Sequence, residues 1–166
     1  ARLSGTDDRD LDDLVQAMGM TGISKSTVSK LCKDIDERVH AFLKRPLTGE
    51  WPYLWLDATY LRVREGSHVV AMAALVAVGV AANGERRILG LELSAGNDEG
   101  SAWPRFIRSL VERGLRGVRL VISDSHAGLV KAVREQLLGS SWQRCRVHLT
   151  RNAQELVPRS ARSMVA

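Results

Sequence analysis

The chain has 166 residues, 45% of them hydrophobic and 26% charged, a globular composition that excludes disorder as the main state. Its longest apolar run, Val69 to Ala82, is shorter than the ~18 residues a spanning helix needs, and the polar, acidic first residues do not read as a signal peptide. The net charge of +5 is uneven, −1 over residues 1–50 and +6 over the remainder, which favours a polyanionic partner for the larger part. Two cysteines, Cys32 and Cys145, cannot form a disulfide framework, so reduced thiols and a cytoplasmic location are expected.

Leu11, Leu14, Val15 and Met18 share one face of a short helix that Gly19 would end. Ser24 is the natural cap for a second helix running to about Leu43, with Val28, Leu31, Ile35, Val39 and Phe42 at helical spacing. Two helices across a glycine-containing turn suit a helix-turn-helix DNA reader, in which Lys25, Ser26, Thr27, Ser29 and Lys30 would reach bases and phosphates. The same pattern also fits two amphipathic helices packing on a neighbour. Residues 1–45 are therefore read as a candidate DNA-binding segment and 46–52, with its prolines and glycine, as a linker.

Residues 53–166 change character. Alternation from Tyr53 to Glu65 predicts a strand, and Val69 to Ala81 a second one covered on both faces. Asn83-Gly84 signals a two-residue hairpin into a third strand, Arg87 to Leu93. The period then switches. Helices are expected over Glu99–Arg113, with Phe106, Ile107, Leu110 and Val111 inward, and over Gly128–Leu138, with a strand at Val118–Ile122 between them. A fifth strand, Trp142 to Val147, and a helix from Leu149 to Val157 complete the order β-β-β-α-β-α-β-α. This α/β order is that of ribonuclease H-like folds, with right-handed crossovers.

Asp57 stands inside the first strand and Asp124 directly after the fourth. A carboxylate in an apolar strand must be paired, hydrogen-bonded or bound to a cation. If those strands are neighbours, the two acids converge and suit Mg²⁺ or Mn²⁺, which take hard oxygen ligands; a turn-forming or capping role for Asp124 is the plainer alternative. Cys145 and His148 have the separation of half a zinc site but no partners at ligand spacing, and His126 reads as a hydrogen-bond partner of Asp124. Glu155 sits at i, i+4 from Arg151, the spacing of a surface ion pair.

Three stretches taken together, Trp55 to Glu65, Leu115 to Leu129 and Trp142 to Asn152, with Gly22 to Ser29 upstream, closely resemble the Mutator-type transposases of bacterial insertion sequences. The resemblance implies a ribonuclease H-like catalytic domain with an Asp-Asp-Glu set whose first two acids fall on Asp57 and Asp124. It implies Mg²⁺ or Mn²⁺ as cofactor, transposon-end and target DNA as partners, and a homo-oligomer working near the nucleoid. Cys145 and His148 fall on that family's Cys-x-x-His signature, in a supporting role. Arg62, Arg64, Arg144, Arg146 and Arg151 become candidates for phosphate contacts. The family's glutamate lies beyond a helical insertion, so this chain is expected to be a piece that lacks it. A non-catalytic remnant competing for transposon ends is the second reading.

Overall fold

The computed structural model describes residues 25–65, 67–95 and 99–164. The helix expected at Leu11–Met18, its glycine stop and the Ser24 cap lie outside the described residues. The described chain divides into two compact units, residues 25–45 with 62–70, and residues 46–61 with 71–164.

The first unit contains helix α1, Lys25–Lys44. Its sequence has no glycine or proline, and Pro46 two residues beyond disfavours further helix. Near its end the Arg45 guanidinium lies 4.0 Å from the centroid of the Phe42 ring, within cation–π range.

The second unit is built on a five-stranded mixed sheet of order β3-β2-β1-β4-β5. Strand β1 covers Tyr53–Glu65, β2 His68–Val80 and β3 Arg86–Ala95; β4 is Leu120–Ser123 and β5 Ser141–Arg144. Helices α2 (Glu99–Glu112), α3 (Ala127–Gln136) and α4 (Arg146–Glu155) follow β3, β4 and β5, and a 3₁₀ segment occupies Arg159–Met164. β2 and β3 are antiparallel, whereas β1–β4 and β4–β5 are parallel. β1 and β2 are sheet neighbours only two residues apart in sequence, a link that permits an antiparallel pair alone.

Alternation decides which side chains form the core. Leu54 and Leu56 of β1, Ala73, Leu75 and Ala77 of β2, and Val121 of β4 are buried with Trp103, Phe106, Ile107 and Leu110 of α2 and Leu129, Ala132 and Val133 of α3. Their neighbours in sequence point to the opposite face, as a period of two requires. A bulge between Ala77 and Val78 adds Leu89 to the core side of β3. Beside it, a Cβ on Gly90 would stand 2.7 Å from Leu110 Cδ2, so glycine is what lets α2 lie this close. Residues 46–52 form no regular element but do not hang free. Leu47 and Trp51 are buried, and their amides donate to the carbonyls of Arg113 (2.6 Å) and Arg116 (3.0 Å).

The structure departs from the sequence expectation at several points. From Ala73 to Gly79 β2 is continuously buried along one face, whereas on the other Ala74 is buried but Val76, Val78 and Val80 are half-buried. Val111 points outward, because the inward stripe of α2 runs through Trp103, Phe106, Ile107 and Leu110. The hairpin loop has three residues between the paired Ala81 and Glu85, closed by Gly84 donating to Ala81 O (2.9 Å) at φ +83°. β5 stops at Arg144, and α4 starts at Arg146 rather than Leu149. Arg151 and Glu155 form no ion pair among the described residues, and both are exposed.

Candidate active site

The register of β1 against β4 pairs Tyr53 with Leu120, Leu54 with Val121 and Trp55 with Ile122. The pairing stops there, and continued by two residues on each side it would bring Asp57 level with Asp124, the first residue after β4. In a parallel pair, level residues share a face and neighbouring strands lie ~4.8 Å apart. By alternation Asp57 follows Trp55 on the face of β1 opposite the core, whereas Asp124 lies just beyond the end of β4 and does not line the cavity beside Asp57.

Ser123 fixes the end of β4. It is buried, its hydroxyl donates to the Asp124 carbonyl (2.8 Å) and accepts from the Trp142 indole N–H (2.9 Å). Its own carbonyl accepts the Cys145 amide at 2.5 Å. One small buried residue thus ties the chain leaving β4 to the chain leaving β5. Asp124 Oδ1 accepts from the His126 amide at 3.1 Å, a local turn bond just before α3. Asp57 Oδ1 accepts from the Ala58 amide at 3.0 Å. The other oxygen of each carboxylate accepts no hydrogen bond from the described residues, leaving two hard donors free for a cation. Among the described residues no three His, Cys, Asp or Glu side chains stand close enough together to hold a metal.

Asp57 is not buried as its apolar strand suggested: its side chain is 59% exposed. It edges a cavity of about 380 Å³ floored by Trp55, Val76, Val78 and Ile122 and lined also by Arg86, Cys145 and His148. The Arg86 guanidinium lies 5.9 Å from the Trp55 ring centroid. Cys145 is the residue before α4 and makes no side-chain cap. His148 enters from the first turn of that helix with Nε2 3.9 Å from Asp57 Oδ1, while its buried Nδ1 has no hydrogen-bond partner among the described residues. Starting α4 three residues earlier than the sequence suggested is what puts Cys145 and His148 one turn apart on this side. Asn152, oriented to satisfy both neighbours, accepts from Arg144 Nη2 (2.7 Å) and donates to the His148 carbonyl (3.1 Å).

The remaining predicted residues are scattered. Ser26, Thr27, Ser29 and Lys30 are exposed near the start of α1, which Lys25 opens, and Arg62 and Arg64 are exposed on the outer part of β1. Arg146 and Arg151 are exposed on α4, Arg144 is half-buried against Asn152, and His126 is exposed. The sequence reading gave no site role to Ser123, Arg86 or Asn152, although Ser123 and Asn152 fall inside the stretches that carry the resemblance. Only Ser123 left a signal there, as a polar residue closing an apolar strand.

Comparison with known proteins bears on the same residues. Residues 2–166 match the family described as "Transposase, Mutator family". The chain belongs to that family. It is 46% identical over 158 residues to the transposase for insertion sequence element IS1081 of Mycobacterium tuberculosis, covering 95% of this chain and 38% of that protein. It is 45% identical over 160 residues to the transposase for IS406 of Burkholderia multivorans, covering 95% and 41%. With the transposase for IS256 in transposon Tn4001 of Staphylococcus aureus it shares 37% over 158 residues, covering 95% and 40%. The Mutator-family chain thus spans about two fifths of the length of these relatives, and both aspartates and the Cys145–His148 pair fall inside the matched part. No helix among the described residues is long and apolar enough to cross a membrane.

Proposed function

We propose that residues 53–166 are the first part of a ribonuclease H-like catalytic domain, and that the protein they come from is a DNA transposase cutting and joining strands at element ends. The observation that carries this reading is the β1–β4 register, Trp55 opposite Ile122, which continued two residues past its last pair would bring Asp57, inside β1, level with Asp124, just after β4. The β3-β2-β1-β4-β5 order, an antiparallel meander followed by two parallel strands, supports the same fold. Asp57 and Asp124 would hold Mg²⁺ or Mn²⁺ through their free oxygens. A bound divalent ion there supplies activation of an attacking oxygen and neutralisation of charge on a phosphodiester. His148 flanks Asp57 within the cavity, and Ser123 keeps Asp124 and Cys145 in place by its three contacts.

Two carboxylates leave much of a cation's shell to water and to DNA oxygens. The described residues therefore support metal binding but not strand transfer by themselves. The test is a Mn²⁺ titration read by electron paramagnetic resonance. The chain is expected to bind Mn²⁺, Asp57→Asn and Asp124→Asn each to weaken it at least tenfold, and none of the three to nick supercoiled DNA. A wild-type chain that leaves the free Mn²⁺ signal untouched overturns the assignment.

The first unit is proposed as a DNA contact, because Ser26, Thr27, Ser29 and Lys30 are short or basic side chains exposed at the start of α1. Affinity for duplex DNA should fall linearly in log K against log salt, by about 0.9 for each neutralised phosphate. Replacing Lys25 and Lys30 together by Ala should therefore flatten the slope by about 1.8. An unchanged slope in fluorescence anisotropy titrations would move the contact to the arginines.

A further inference from the structure

The cavity that Asp57 edges has the wrong chemistry for a phosphate. Its floor is one indole and three aliphatic side chains, Trp55, Val76, Val78 and Ile122, and an anion set on that surface would lose its hydration without an equivalent partner. Trp55, Val76 and Val78 are only half-buried, so their apolar surface faces the open space. Polar groups stand at the rim, among them Asp57 and Thr59, which alternation places on one face of β1, and Arg86. An apolar floor with a few polar groups around it is the make-up of a small-molecule site, and about 380 Å³ is at the small end of such sites.

To a chain that acts on DNA, three kinds of surface are on offer: charged phosphates, polar sugars and flat, uncharged bases. Only the bases match this floor. Trp55 presents a face for stacking, and the Arg86 guanidinium lies over that ring, 5.9 Å from its centroid. A flat ring held between two planes needs about 7 Å, twice the ~3.5 Å contact distance of carbon atoms. Arg86 is exposed, so an outward swing of about 1 Å opens a slot with an indole below and a guanidinium above, both of which stack on bases. A base within a duplex is covered by its neighbours, so the occupant has to be unpaired.

We propose that the cavity receives one unpaired nucleobase of the strand whose phosphate lies at Asp57, stacked on Trp55 and capped by Arg86. This rests on the reading of the protein as a DNA transposase. Base identity matters little to such a slot, because every base has a π face and the Thr59 hydroxyl both donates and accepts. Its effect is to hold the nucleotide beside the phosphate out of the helix, which fixes the strand against Asp57.

Three duplexes differing at one nucleotide provide the test: one fully paired, one with a single unpaired adenine, and one with an abasic residue at that bulge. Anisotropy titrations of the full 166-residue chain are run in EDTA, so that no ion takes part. The adenine bulge should bind about tenfold more tightly than the abasic one, the share of a single stacked base. Trp55→Leu, which keeps an apolar floor without an aromatic face, and Arg86→Ala should each bring the two affinities to within about twofold. A second readout does not depend on either variant folding. With 5-iodouracil as the unpaired base, irradiation of the wild-type complex should cross-link the DNA to Trp55, as located by peptide mass spectrometry. Equal affinity for the adenine and abasic bulges, the result if another segment of the protein covers the floor, overturns the proposal and leaves the DNA reading standing. So does a cross-link at Trp142, the half-buried indole of a separate cavity beside α3. Failure to bind any of the three duplexes overturns both.

Discussion

Trp103→Ala is expected to destabilise the second unit by about 3–5 kcal/mol. Trp103 is the bulkiest of the fully buried side chains among the described residues, at 2% exposure. It stands on α2 with its ring 6.1 Å from that of Phe106 and tilted by 62°, an edge-to-face pair. Truncation would remove the largest apolar surface in the core and leave a cavity between α2 and the sheet that backbone relaxation fills only in part. Against a total stability of about 5–15 kcal/mol, the unfolded-to-folded ratio should rise by about two to four orders of magnitude. Val111→Ala, on the same helix but 40% exposed, should stay within about 0.5 kcal/mol. Urea unfolding followed by circular dichroism checks both, at unchanged m. A loss below about 1 kcal/mol for Trp103→Ala would contradict the packing of α2 on the sheet.

How far the sequence foretold this fold depended on whether a feature was local. Tyr53–Glu65 came out with its ends right because thirteen residues of β-prone alternation leave no other reading. The α2 boundary came out within one residue, since Gly114 stops a strongly amphipathic segment. The β5–α4 junction did not. Trp142 and Val147 look like strand residues, but the helix starts at Arg146, and the Cys145 amide makes the last ladder bond, to the Ser123 carbonyl of β4. No window on 141–150 contains that partner.

The adjacency of β1 and β4 was legible as a consequence of topology: once a meander is followed by crossovers, those two strands become parallel neighbours. The exposure of Asp57 was not. Apolar neighbours in the chain say which strand a residue occupies, but whether its face is covered depends on elements elsewhere. Here the helices between β3 and β5 pack on the other face, so Trp55, Val76 and Val78 floor an open cavity instead of a second core layer. The role of His148 was hidden for the same reason, because its approach to Asp57 follows from where α4 begins.

That exposure alters the outcome expected for Asp57→Asn. Read from sequence, two partly buried carboxylates should repel, and removing one charge should stabilise the metal-free protein. With the Asp57 side chain 59% exposed, water screens most of that repulsion. Asn also retains the Oδ1 that accepts from the Ala58 amide at 3.0 Å. In metal-free buffer the variant and the wild type should therefore agree within about 0.5 kcal/mol. Added Mn²⁺ should separate them. A ligand that binds only the native state stabilises it by RT ln(1 + [L]/Kd), about 2.7 kcal/mol at a hundredfold excess over Kd. The wild type should gain that amount, whereas Asp57→Asn, with one anionic donor removed from a pair, should gain little. His148→Gln, which keeps a donor beside Asp57, should respond like the wild type. Thermal melts of the three proteins with and without Mn²⁺ give the comparison directly. Equal metal-induced shifts in wild type and Asp57→Asn would remove Asp57 from the site. Marked destabilisation of Asp57→Asn without metal, beside a wild type that Mn²⁺ does not shift, would make Asp57 a structural acceptor for the β1 backbone.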